Sequence, residues 1–318
     1  MAHSIPPTPL SLRRRIDLWM ARFIALVFFV INKLRPLPKP PQPVSVHRYG
    51  PHPDENLQFI PARADAPSRA PLVFIHGGGW IIMKKELYTR ALIEFAEAGY
   101  PVFNLEYPLA PEHPHPGMLL SLLEALRWIR GQHPEVQSVH LMGDSAGGNL
   151  AMMLGILSHN PRLLRVLGPS APSEVPVSIA SVVSLYGVLD RLSWRHNGFP
   201  GVDLMLECYG GKVVFEERVP ADKAITPMDL EFDSYPPSFL VAGSKDRLCE
   251  ATRICSKRLE SIPGVAKTKI YEGEIHGFFS MEWRPGYSEL RRDIFEFLEA
   301  HEPRGDLANE LHFGEVNG

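Results

Sequence analysis

The stretch "SVHLMGDSAGGNLAMM" at Ser138–Met153 narrows the possible folds more than any other part of this chain. Ser138–Met142 is a short apolar run rich in Val and Leu, the pattern of a buried strand. The residues after Ser145 can wind into a helix. Between the two, Gly143 and Gly147 flank Ser145. A serine in so sharp a strand-to-helix turn takes a strained backbone conformation, and only neighbours without side chains leave room for it. The hydroxyl then stands clear of the chain at a helix N-terminus, where a nucleophile belongs.

Around this turn, strand-like and helix-like segments alternate. Val44–Tyr49 and Leu57–Ile60 read as an opening antiparallel pair. Leu72–Ile75, Val102–Leu105, Ile179–Tyr186, Ser238–Ala242 and Lys269–Glu272 read as further strands. Helical stretches are expected near Lys85–Ala98, Met118–Arg130 and Tyr287–Ala300. Such alternation predicts an α/β fold with a mostly parallel central sheet and helices on both faces. Reactive groups in these folds gather beyond the carboxyl ends of the strands. The aperiodic, Pro- and Gly-rich interval Asp190–Tyr235 reads as an insertion over that edge, a helical cap able to shape a pocket. The expected organisation is therefore an N-terminal helix and Pro-rich hinge over 1–43, a main domain over 44–301 with its cap near 190–235, and a polar tail over 302–318.

Composition excludes several alternatives. With 318 residues, 45% hydrophobic and 22% charged, the chain can bury a sizeable core. A net charge of −3 without a long basic run argues against nucleic-acid binding. The three cysteines lack CxxC spacing, and their odd number argues against a disulfide framework. There is no Asn-x-Ser/Thr sequon. These features favour a cytoplasmic protein or one associated with an intracellular membrane over a secreted one. The segment 16–31 carries an unbroken apolar run from Phe23 to Ile31, shorter than the roughly 20 residues a spanning helix needs. It reads either as a helix covering an apolar opening of the domain or as a membrane anchor or interfacial helix.

Three further motifs meet the carboxyl-edge test. "PLVFIHGGGW" ends a strand in three glycines, whose unshielded N–H groups can stabilise a developing oxyanion. No Walker or dinucleotide motif accompanies them. His276, in "YEGEIHGFF", follows the last strand-like run, whereas His301 ends a helix and His312 lies in the tail. Asp246 follows the apolar run "PSFLVAG"; Asp190 is the second candidate, and Glu274 sits too close to His276 in sequence to approach its ring easily. Ser145, Asp246 and His276 thus form a nucleophile, acid and base in the chain order of the α/β-hydrolases. Trp80 reads equally as a substrate-pocket wall or as core. His113 and His115 have metal-like spacing but no further ligands nearby, so no metal site is expected. "APEHPHP" reads instead as a rigid loop supporting the glycines. Asp144 and Asn149 read as braces, and Cys249 and Cys255 as small buried hydrophobes.

His76-Gly77-Gly78-Gly79, "YPLAPEHPHP" at Tyr107–Pro116, Gly143–Gly148 and "IHGFF" together resemble the hormone-sensitive-lipase group of α/β-hydrolases. That group includes bacterial esterases, plant carboxylesterases and arylacetamide deacetylase-like enzymes. The resemblance spans roughly Val44–Ala300. It implies the α/β-hydrolase fold, a Ser145–His276–Asp246 triad, and an oxyanion hole of the Gly77, Gly78 and Ala146 N–H groups. It further implies action on a small-molecule ester, with short-to-medium acyl groups and an apolar or aryl alcohol, and without a cofactor. Acyl transfer or elimination by the same triad is an alternative. So is a ligand-binding receptor on this scaffold, although loss of the catalytic histidine marks such relatives and His276 is present. Two positions depart from the group's pattern: Arg247 stands where proline is frequent, and Pro108 where a basic residue is usual.

Overall fold

A computed structural model describes residues 6–34 and 36–303; most of the tail expected over 302–318 therefore lies outside the described residues. Eight strands form one sheet: β1 (Ser45–Arg48), β2 (Asn56–Ile60), β3 (Leu72–Ile75), β4 (Val102–Leu105), β5 (Ser138–Asp144), β6 (Ser178–Leu185), β7 (Ser238–Gly243) and β8 (Ala266–Tyr271). Their spatial order is β1-β2-β4-β3-β5-β6-β7-β8. The β1–β2 and β2–β4 pairings are antiparallel and every other pairing is parallel.

The central strands are mostly apolar and buried along nearly their whole length because both faces of the sheet are covered. On β3, Leu72 and Phe74 enter one core while Val73 and Ile75 enter the other, the parity that a two-residue repeat imposes. The first core is closed by α2 (Thr89–Glu97) and α8 (Tyr287–Ala300). The second is closed by α3 (Gly117–Gln132), α4 (Ala146–His159) and α7 (Cys249–Leu259). Each fully buried Leu, Ile, Val or Phe contributes about 1.5–3 kcal/mol. Cys208, Cys249 and Cys255 are all buried free thiols, and burial pushes Cys208 and Cys255 up to about 12.

Two boundaries differ from the sequence reading by three residues or more. β8 begins three residues before the expected Lys269, because its first residues, Ala266-Lys267-Thr268, alternate toward solvent at the sheet edge and form no apolar run. The helix expected from Lys85 opens as a 3-10 turn at Lys85–Leu87, before α2 proper starts at Thr89.

The aperiodic interval after β6 holds α5 (Arg191–His196), α6 (Val202–Gly210) and three short 3-10 turns. Its apolar residues Trp194, Leu204, Leu206 and Tyr209 join the core shared by α3 and α4. Arg191, 1% exposed, ties it together. Its Nε donates to Asp229 Oδ1 at 2.9 Å, and its guanidinium also reaches the carbonyls of Val214, Glu216 and Glu217. Removing one partner of such a pair strands the other in a low-dielectric interior. Arg191→Ala is expected to cost about 3 kcal/mol, read as a lowered urea midpoint.

Candidate active site

The turn after β5 holds Ser145 at φ 52°, ψ −119°, a conformation unfavourable for any residue with a Cβ. It persists because the surroundings fix it: Ser145 N donates to Leu185 O at 2.8 Å, and Ser145 O accepts from Asn149 N at 3.0 Å. A Cβ at Gly143 would lie 2.3 Å from Gly147 O, and one at Gly147 only 2.0 Å from Ile75 O. Both glycines are therefore required for the turn to pass against the end of β3.

Asp246 lies beyond the carboxyl end of β7, and His276 beyond that of β8. His276 Nε2 is 3.1 Å from Ser145 Oγ, and His276 Nδ1 is 2.8 Å from Asp246 Oδ2. The second oxygen of Asp246 accepts from Leu248 N at 2.9 Å, which fixes the carboxylate plane. Tyr186 and Phe199 meet the imidazole edge-on, at 4.8 and 5.1 Å between centroids. The competing acids are committed elsewhere. Asp190 caps α5 by accepting from Ser193 N, and Glu274 accepts from Gly286 N and pairs with Arg284.

These groups open into a cavity of about 520 Å³ with apolar walls from Met83, Trp194, Phe199, Met205, Phe279 and Trp283. Gly78 and Gly79 also line it, both at positive φ. Ala146, the first residue of α4, is buried beside Ser145 with the helix N-terminus behind it.

Gly77 and Trp80 both sit away from the cavity lining, Trp80 taking the core reading of the two open to it. Gly77 lies below the cavity against Asp144: a Cβ there would be 2.8–3.0 Å from the Asp144 main-chain and carboxyl oxygens. Its backbone hydrogen bond favours the charged form of that carboxyl. The chain turns only after Gly77, so Gly78 and Gly79 are the loop glycines at the cavity. Trp80 is fully buried behind the wall, stacked on Tyr209 at 4.5 Å and edge-on to Trp194, which lines the cavity in its place. His113 and His115 also part company. His113 packs edge-on against His52, whereas His115 is buried beside Tyr209 with its pKa pushed down to about 3 by desolvation.

A buried polar layer supports the glycine loop. His76 Nδ1 donates to Gly77 O at 2.8 Å, and His76 Nε2 lies 2.9 Å from Glu106 Oε1. Burial opposes charge on this ring, but both neighbours are acceptors, and the Glu106 carboxylate holds its pKa above the ordinary value. Glu106 also accepts from Lys85 N, and Tyr107 donates to His76 O while stacking on the ring. Sequence reasoning passed over Glu106. Its signal is a lone carboxylate immediately after the wholly buried β4, at the same carboxyl edge. Asn149 braces the turn by donating to Val188 O and Ile225 O.

Comparison with known proteins follows the same outline. Residues 72–280 match the family described as alpha/beta hydrolase fold. The chain belongs to this family. Among similar α/β-hydrolases is an esterase of Acinetobacter venetianus, 24% identical over 238 residues, which cover 74% of this chain and 76% of that protein. Mouse hormone-sensitive lipase is 36% identical over 145 residues, or 43% of this chain and 19% of that longer protein. Esterase B from Lactobacillus rhamnosis superposes with a TM-score of 0.77 at 19% identity, over 91% of this chain and 96% of that one, a likeness of fold.

Asp144 accepts from the Tyr88 hydroxyl at 3.0 Å, and burial raises its pKa to about 6. That lies above the ordinary 3.8, so between these pH values the folded chain holds more proton than the unfolded one and loses stability as pH rises. Asp144→Asn is expected to remove this slope, worth roughly 2–3 kcal/mol across the window, in urea midpoints measured from pH 4 to 7.

Proposed function

We propose that this α/β-hydrolase is a serine carboxylic ester hydrolase for short-to-medium acyl esters of an apolar or aryl alcohol. The single observation that carries this reading is the continuous hydrogen-bonded line from Ser145 Oγ through His276 to Asp246, opening into an apolar cavity. Ser145 Oγ attacks the ester carbonyl as His276 Nε2 takes its proton, and Asp246 stabilises the imidazolium. The oxyanion forms at the N–H groups of Gly78, Gly79 and Ala146 rather than at Gly77. His276 returns the proton to the leaving alcohol, and water then releases the acyl group by the reverse path. The esterases and lipase among its relatives support this class of reaction.

The predominantly apolar walls favour a carbon-rich substrate. At about 520 Å³ the cavity suits a small ester rather than a polymer chain.

Incubation with a fluorophosphonate is expected to add one adduct to the intact mass of the parent and none to Ser145→Ala. His276→Ala is expected to label far more slowly. Both substitutions should lower kcat/KM on a p-nitrophenyl ester by roughly 10⁴- to 10⁶-fold. A folded parent that neither labels nor turns over any ester would remove the proposal. Phe199→Ala, which enlarges the wall beside His276, is expected to shift the best acyl chain toward greater length in a series from acetate to decanoate.

A further inference from the structure

The N-terminal helix α1 (Leu12–Lys33) turns its apolar side away from the protein. At about 100° per residue, Leu12, Ile16, Trp19, Phe23, Val27 and Val30 fall on one narrow stripe. They are 43–73% exposed, and Trp19 stacks on Phe23 at 5.6 Å. The opposite side meets the domain: Leu18 is buried, Arg14 pairs with Glu207, and Arg22 pairs with Glu112. A helix that docks through Leu18 and its paired arginines while leaving an apolar stripe in water exposes surface that an ordinary surface helix would bury.

The charges around the stripe identify what covers it. The helix carries five basic residues and one acidic residue, although the chain as a whole is net −3. Arg13 borders the stripe on one side, and Arg15 and Lys33 on the other. All three are exposed and make no ion pair among the described residues. Cations along both borders of an apolar stripe suit the boundary between acyl chains and anionic headgroups, where long side chains reach up to the phosphates. A second copy packed on the same stripe would bring like charges together. No helix among the described residues is long and apolar enough to cross a membrane.

Its position links this face to the cavity. Asn32, in the last turn of α1, lines the same cavity as Ser145 and the 68%-exposed Trp283. A second groove, of about 530 Å³, runs between Ala25 and Phe29 of α1 and the Ile81–Met83 segment, and Ile82, Met83 and Leu87 belong to both.

We propose that α1 lies in the plane of an anionic phospholipid bilayer, with its stripe among the acyl chains, and that the cavity draws an apolar ester from that bilayer. The choice of ester rests on the hydrolase reading above; the docking surface does not.

The test is co-sedimentation of the full chain with phosphatidylcholine vesicles, with and without phosphatidylserine. Binding is expected to be stronger with phosphatidylserine and to weaken as salt rises. The triple variant Trp19→Glu, Phe23→Glu, Val27→Glu should bind about tenfold or more weakly. It should also keep the parent's turnover of p-nitrophenyl acetate, since none of the three residues lines the cavity. Three results would overturn the proposal: no binding to either vesicle, equal binding of parent and variant, or a solution dimer that the variant dissociates. Indifference to phosphatidylserine would overturn the anionic assignment. Vesicle binding by a parent that turns over no ester would strike the hydrolase reading alone and support the surface.

Discussion

The architecture of the site depends on one close backbone approach. Where the turn at Ser145 passes the end of β3, Gly147 lies so near Ile75 O that no Cβ fits between them. This contact locks the Ser145 turn to the start of the glycine loop, so the hydroxyl and the loop N–H groups share one rigid frame. The strained conformation of Ser145 costs about 1–3 kcal/mol and is held by the hydrogen bonds of its own backbone to β6 and α4. Preorganisation of this kind spends folding energy to avoid reorganisation during reaction.

A second constraint lies beneath the first. The glycine loop has no side chains with which to hold itself, so neighbouring polar residues hold it. His76 bonds the loop carbonyl, Glu106 and Tyr107 hold His76, and Tyr88 with Asp144 closes the space under Gly77. These groups are buried, so each bond acts in a low-dielectric setting where loss of one partner is costly. Above the loop the wall is apolar and comes from another source: α5 and α6 supply Trp194 and Met205, and the segment between them Phe199. On the proposed reading, chemistry and selectivity reside on different parts of the chain, the first on the strand ends and the second on the segment after β6 and the N-terminal helix.

Much of the fold was legible because its signals are local. Short, mostly apolar runs mark strands covered on both faces, and the Gly-x-Ser-x-Gly turn marks the carboxyl end of β5. Legibility failed where the signal was weak or distributed. The edge strand β8 begins with alternating Lys and Thr, and the insertion has no periodicity because its helices are short and packed by isolated residues. Glu106 left only the trace of one charge after an apolar strand, and its purpose depends on an imidazole thirty residues earlier.

The sequence by itself determined the α/β architecture, the strained serine turn and the set of groups available at the sheet's carboxyl edge. Steric rules for glycine and the spacing of apolar residues act over a few residues and need no knowledge of distant partners. Only the tertiary structure decided which acid meets His276, which glycines border the cavity, and that Trp194 rather than Trp80 forms its wall. It alone showed that the apolar stripe of α1 faces outward. Each of these depends on where segments far apart in the chain come together, and packing, not local propensity, sets that.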